Sequence, residues 1–147
     1  KGCRGLMFGV VLTAHGALAE ALIEAARLVV RDLSNILAVG IGVHDKSSDY
    51  NTRLQEAVAH FSDRQGVLIL TDMFGGTPSN VGLALHHPGA IEVLTGANLP
   101  MVIKAVQLAN RDIDLNRAAC EIRDYGHRAI VIASEVLGKP ATPEIRS

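Results

Sequence analysis

Gly66-Val67-Leu68-Ile69-Leu70-Thr71-Asp72-Met73-Phe74-Gly75-Gly76-Thr77-Pro78 passes from an apolar run, through an acid and two glycines, into the start of a helix. An apolar run without alternation is the pattern of a strand covered on both faces, as in a parallel sheet. Thr77 suits a helix N-cap, and Pro78 suits the first helical position, where its missing N–H removes nothing the helix needs. Strand, glycine turn and helix in direct succession make one βα unit, and the flanking sequence repeats it.

Upstream, residues 6–12 form a second unalternated apolar run. Leu18, Leu22, Ala25, Ala26 and Val29 then recur at three- and four-residue steps, which predicts a helix over 17–30. Residues 36–43 read as the next strand, followed by a helix over 49–60 with Asp49 as N-cap and Leu54, Val58 and Phe61 on one face. Downstream, residues 90–95 give a short strand, and Gly96-Ala97-Asn98 leads into a helix over 99–109. A helix over 113–125 is stopped by Gly126, and the β-branched run 128–133 reads as a fifth strand. Alternation of strand and helix argues an α/β, doubly wound, mostly parallel sheet with helices on both faces. The fifth strand is expected as a C-terminal antiparallel edge strand.

A chain of 147 residues fits one domain, expected at 6–135 with a flexible tail at 136–147, while residues 1–5 are left outside the fold reasoning. A domain of that size buries roughly 68–70% of the surface its unfolded chain exposes, so it needs no covalent staples. Cys3 and Cys120 are too few and too dispersed for a disulfide framework and are expected as reduced thiols. A net charge of -1 with scattered Lys and Arg lacks the footprint of nucleic-acid binding, and 3% aromatic residues leave few platforms for base stacking. No apolar run approaches the ~20 residues of a membrane-spanning helix. The expected location is the cytoplasm.

In doubly wound sheets ligands bind beyond the carboxyl ends of the strands, where the strand order reverses. The loops at those ends carry Thr13-Ala14-His15-Gly16, then Asp72 with Gly75-Gly76-Thr77-Pro78, then Gly96 to Pro100. If the first and third strands are neighbours, His15 and Asp72 leave the same sheet edge side by side. A carboxylate that takes the proton of one ring nitrogen fixes the tautomer and leaves the other lone pair free to attack phosphorus. Gly75 and Gly76 let backbone N–H groups approach phosphoryl oxygens, the helix after them points its positive end there, and Thr77 adds a hydroxyl. Taken singly, each has a plainer reading: His15 as a structural hydrogen-bonder, the glycines as a tight turn, Asp72 as a loop cap. Their convergence on one edge favours the chemical one. His44 follows the second strand, a position from which it could face the same region, whereas His60, His86, His87 and His127 read as solvated. His86 and His87 are adjacent and cannot make a metal pair at i, i+4 spacing, so no metal site is expected. Nor does any nucleotide-binding or Gly-x-Ser-x-Gly motif occur, and no cofactor is expected.

Three segments in this order, Val11 to Gly16, Gly66 to Asn80 and Thr95 to Met101, resemble the mannose-type (mannose–fructose–sorbose) enzyme IIA family of the sugar phosphotransferase system. The resemblance extends over nearly the whole chain, and its specific part is Asp72-x-x-Gly75-Gly76-Thr77-Pro78-x-Asn80 followed by Gly96-x-Asn98-Leu99-Pro100-Met101. It implies a phosphocarrier that accepts a phosphoryl group from HPr on His15 and passes it to an enzyme IIB, with Asp72 as the orienting carboxylate. It further implies a homodimer, some members exchanging the last strand between subunits, and contact with the membrane only through the sugar permease subunits. The chain departs from the family in having Ala14 where Thr or Ser commonly precedes the histidine. A second reading is a signalling module whose His15 phosphorylation controls binding to a regulator. Two further readings on this fold are the phosphotransfer subunit of a dihydroxyacetone kinase and a small tetrapyrrole metal chelatase. The Gly-Gly-Thr-Pro-Ser-Asn stretch fits the sugar family better than the first, and the second wants another metal-binding histidine beside His15. Met73, Phe74 and Met101 stand as candidates for either partner contact or core.

Overall fold

A computed structural model describes residues 8–138. Four strands, β1 (Gly9–His15), β2 (Ile36–Ile41), β3 (Val67–Thr71) and β4 (Ile91–Thr95), form one parallel sheet in the order β2-β1-β3-β4. Between and after them run α1 (Leu18–Arg27), α2 (Ser47–Ala59), α3 (Thr77–Leu85), α4 (Leu99–Ala109), α5 (Leu115–Arg128) and the short α6 (Ala133–Val136).

The alternation of side chains along β1 divides the core. Val10, Leu12 and Ala14, with Leu68 and Leu70 of β3, pack under α1, α4 and α5. Val11 and Ile69 face the other way, against Tyr50, Leu54 and Ala57 of α2 and the partly buried Val81 and Leu85 of α3. Because every second residue of the central strands meets a different apolar layer, neither face tolerates a polar run, which is why these strands read as continuous hydrophobic sequence.

Several boundaries differ from expectation. The run 128–133 is not a strand here: Arg128 still belongs to α5, and Ile130, Val131 and Ile132 stand exposed without a ladder. β-branched residues become a strand only by pairing, and among the described residues this segment pairs with no strand. Gly126 lies inside α5 rather than ending it; it is buried, and a Cβ there would meet Met101 Cγ at 2.5 Å, so the residue marks the close approach of α4 and α5. Gly76, not Thr77, is the N-cap of α3, placing Pro78 second in the helix, and α2 begins at Ser47 behind Lys46, leaving Asp49 in the first turn. On α1 the buried face is Ala19 and Ala26 with Leu22 and Ile23 packed beside them, while Leu18, and Val29 beyond the helix end, are exposed. Leu6 and Met7 of the first expected strand, Cys3, and the tail from 139 onward lie outside the described residues.

Candidate functional site

β1 and β3 are neighbours in register, Thr13 opposite Thr71, so the next residues of both chains emerge at one point of the sheet's carboxyl edge. The strand order reverses there, β2 lying to one side of β1 and β3 to the other. His15 and Asp72 meet at that point. Asp72 Oδ2 accepts the backbone N–H of His15 at 3.0 Å and lies 2.7 Å from its Nδ1, while Oδ1 accepts the N–H of Met73 at 2.9 Å. An ionised carboxylate only accepts, so Nδ1 carries a proton and, in the neutral ring, Nε2 the lone pair.

Burial pushes the Asp72 carboxyl upward, but the hydrogen bonds from the backbone and ring of His15, the ring's charge and the Met73 N–H outweigh it, and the carboxyl ends below the ordinary carboxylate range. Its side chain is 11% exposed against 49% for His15. The pair is therefore asymmetric: an anchored, nearly buried anion behind and a half-exposed ring in front.

The glycine loop closes over the ring. A Cβ on Gly76 would stand 2.8 Å from His15 Cε1 and 3.3 Å from Nε2, closer than a side chain permits, so only glycine lets the backbone lie against the nucleophilic edge of the imidazole. Gly75 takes φ +89°, the left-handed turn that aims the chain into α3. Among the described residues no side chain caps the N-terminus of α3, and its N-cap Gly76 lies against the histidine, so the first N–H groups and the positive end of the helix stand near the ring. Opposite, His15, Val43, Asp45, Ser47 and Thr77 are among the residues that line an open cavity of about 350 Å³. A cavity of that size has room for a tetrahedral anion beside the ring.

All five site residues expected from sequence, His15, Asp72, Gly75, Gly76 and Thr77, fall on this one edge. His44 is exposed on the β2–α2 loop and is not among the residues lining the cavity. Met101 is core, 4% exposed, whereas Met73 and Phe74 are exposed beside the site at 52% and 73%. Ala14 points into the layer under α1, away from the ring. Sequence reading missed the wall made by the β2–α2 loop. There Asp45 Oδ2 accepts the Gly42 N–H at 2.7 Å and Arg53 Nη2 at 2.8 Å, and Arg53 Nη1 reaches the Gly40 carbonyl at 2.9 Å. The signal available was faint: an Asp three residues after a Gly, and one Arg on a helix rich in polar residues. Among the described residues, no helix is long and apolar enough to cross a membrane.

The chain is similar to known proteins over most of its length. The sequence model of the family EIIA-man, described as PTS system fructose IIA component, matches residues 9–120. The fructose-specific EIIA component of the PTS from Bacillus subtilis (strain 168) is 23% identical over 137 residues, covering 92% of this chain and 93% of its own length. The mannose-specific EIIAB component from Escherichia coli (strain K12) is 23% identical over 112 residues, 73% of this chain but only 33% of that longer protein. Among solved structures, the phosphotransferase system component EIIA from Streptococcus agalactiae superposes with a TM-score of 0.79 at 27% identity, covering 88% of this chain and 99% of that one.

Proposed function

The chain belongs to the EIIA-man family of PTS IIA components, and on that premise we propose that it is a cytoplasmic phosphocarrier whose His15 accepts a phosphoryl group from phospho-HPr and passes it to an enzyme IIB. The observation that carries the reading is the pair in which Asp72 Oδ2 holds Nδ1 of His15 at 2.7 Å. With Nδ1 engaged, Nε2 attacks phosphorus in line; the N–P bond forms as the bond to the donor histidine breaks, and that histidine recovers its lone pair. The growing positive charge on the ring is balanced by Asp72, and Gly75, Gly76 and Thr77 at the start of α3 meet the phosphoryl oxygens. Reversal of the same step onto IIB completes the transfer.

Met73 and Phe74, exposed beside a ring that is itself half-exposed, supply an apolar contact for both partners, which must each bring a side chain to the same nitrogen. The exposed run Ile130-Val131-Ile132 is suited to bury itself against a second subunit, as a homodimer with exchange of this segment requires.

Incubation with phosphoenolpyruvate, enzyme I and HPr is expected to add one acid-labile phosphoryl group to the wild type and none to His15→Ala. A wild type that stays unlabelled with its cognate HPr would overturn the phosphocarrier reading.

A further inference from the structure

Beneath His15, on the same face of β1, lies a buried polar pair that the transfer chemistry does not use. Thr13 is fully buried, and its hydroxyl donates to the Val39 carbonyl of β2 at 2.7 Å. Its one proton being spent, the short bond between Thr13 Oγ1 and the Tyr50 hydroxyl has Tyr50 as donor. Tyr50 is also fully buried, in the layer formed by Val11, Val39, Leu54 and Phe61. A buried hydroxyl is costly unless bonded, and Phe with Val would fill the same volume without that demand, so packing alone does not call for this pair.

What the pair achieves is placement. It ties α2 to the ends of β1 and β2 two residues below the histidine. Three positions along the same helix, the Arg53 guanidinium lies 5.9 Å from the centre of the Tyr50 ring and holds both Gly40 and Asp45, and with them the loop that walls the cavity. Burial, with the nearby charge of Asp72, raises the Tyr50 hydroxyl above the ordinary phenol range, which keeps it a proton donor. Among the described residues the His15 ring makes one hydrogen bond, to Asp72, and it is half-exposed, so its orientation depends on how firmly the end of β1 is held.

We infer that Tyr50 is a positioning residue for His15: through Thr13 it fixes the end of β1 so that Nδ1 stays on Asp72 and Nε2 faces the incoming phosphoryl group. The rate consequence rests on the phosphocarrier reading; the consequence for the ring does not.

Both are measured on the full chain, with Tyr50→Phe, Thr13→Val and Thr13→Ser. Ring nitrogen shifts of His15 by NMR report the tautomer, and single-turnover labelling by phospho-HPr is followed at saturating and limiting donor. Thermal melts report the folded fraction. Tyr50→Phe is expected to stay folded, to turn a single Nδ1–H tautomer into a mixture, and to slow saturated transfer about tenfold, a misplacement effect well within what sub-ångström shifts cause. The donor concentration for half-saturation should stay within twofold, and Thr13→Ser, which keeps the hydroxyl, should keep both readouts at wild type where Thr13→Val changes them as Tyr50→Phe does. The inference fails if folded Tyr50→Phe keeps the wild-type tautomer and rate, or if its rate falls only with its folded fraction. Should wild type itself not label, the function reading fails, and the tautomer shift alone decides the role of Tyr50.

Discussion

Asp72 Oδ2 engages two nitrogens of a single residue, one on the backbone and one on the ring, and this double hold makes the aspartate hard to replace. Asn keeps the shape but presents no negative charge to the phosphorylated ring and no demand for the Nδ1–H tautomer. Asp72→Asn should therefore still be labelled on His15, but on the order of 100-fold more slowly in rapid-mixing measurements. The same carboxylate links stability to pH. Its folded pKa lies below the unfolded value of about 3.9, so near pH 4 the unfolded state binds more protons than the native one and stability rises with pH. Its contribution is fully present above the unfolded value and is lost as pH falls through the lower folded one. The urea midpoint of Asp72→Asn should thus trail wild type at pH 7 and converge on it once the pH falls below the lowered folded pKa. At Gly76 the ring leaves no room for a methyl group; Gly76→Ala is expected to remain folded by circular dichroism while losing most labelling, since either loop or imidazole must move. Residue types and spacing made His15, Asp72 and the two glycines legible. Thr13, Tyr50 and Arg53 were not, because a threonine in a strand and a tyrosine and an arginine in a helix look ordinary until the sheet order brings them together.

The elements were readable wherever apolar periodicity was strong and misjudged where a glycine or a β-branched run was taken at face value. Gly126 shows why. In isolation it signals a helix end, but α5 runs through it to Arg128, because contact with Met101 needs the missing side chain more than the helix needs propensity. Two effects oppose each other in Gly126→Ala: about 1 kcal/mol gained in helix propensity, and about 1–3 kcal/mol lost by overpacking against a buried methionine. Net destabilisation in urea titrations is expected, relieved when Met101→Ala is added. The start of the same helix is set by Asp114, whose side chain accepts the Arg117 N–H at 3.0 Å.

For the whole molecule, sheet order was the one assumption on which the site depended, since only adjacency of β1 and β3 brings residues 15 and 72 together. Alternation of strands and helices indicates a doubly wound sheet but not its order, which long-range packing decides. Assembly is likewise a property of more than one chain, and in the proposed homodimer the run 130–132 is the segment that a second copy would cover. Sedimentation should find a dimer for wild type and a monomer for Ile130→Lys with Val131→Lys, with His15 labelling retained because the substitutions leave the β1–β3 edge untouched. The direction of β1 has a further, practical meaning. The strand enters the sheet at Gly9 and leaves it at His15, and at ~3.3 Å per residue the two ends stand about 20 Å apart on opposite edges. A surface tether joined ahead of Gly9 would hold the molecule by its far side, with the histidine edge turned to the solution, so that arriving and departing partners can be counted on an immobilised layer.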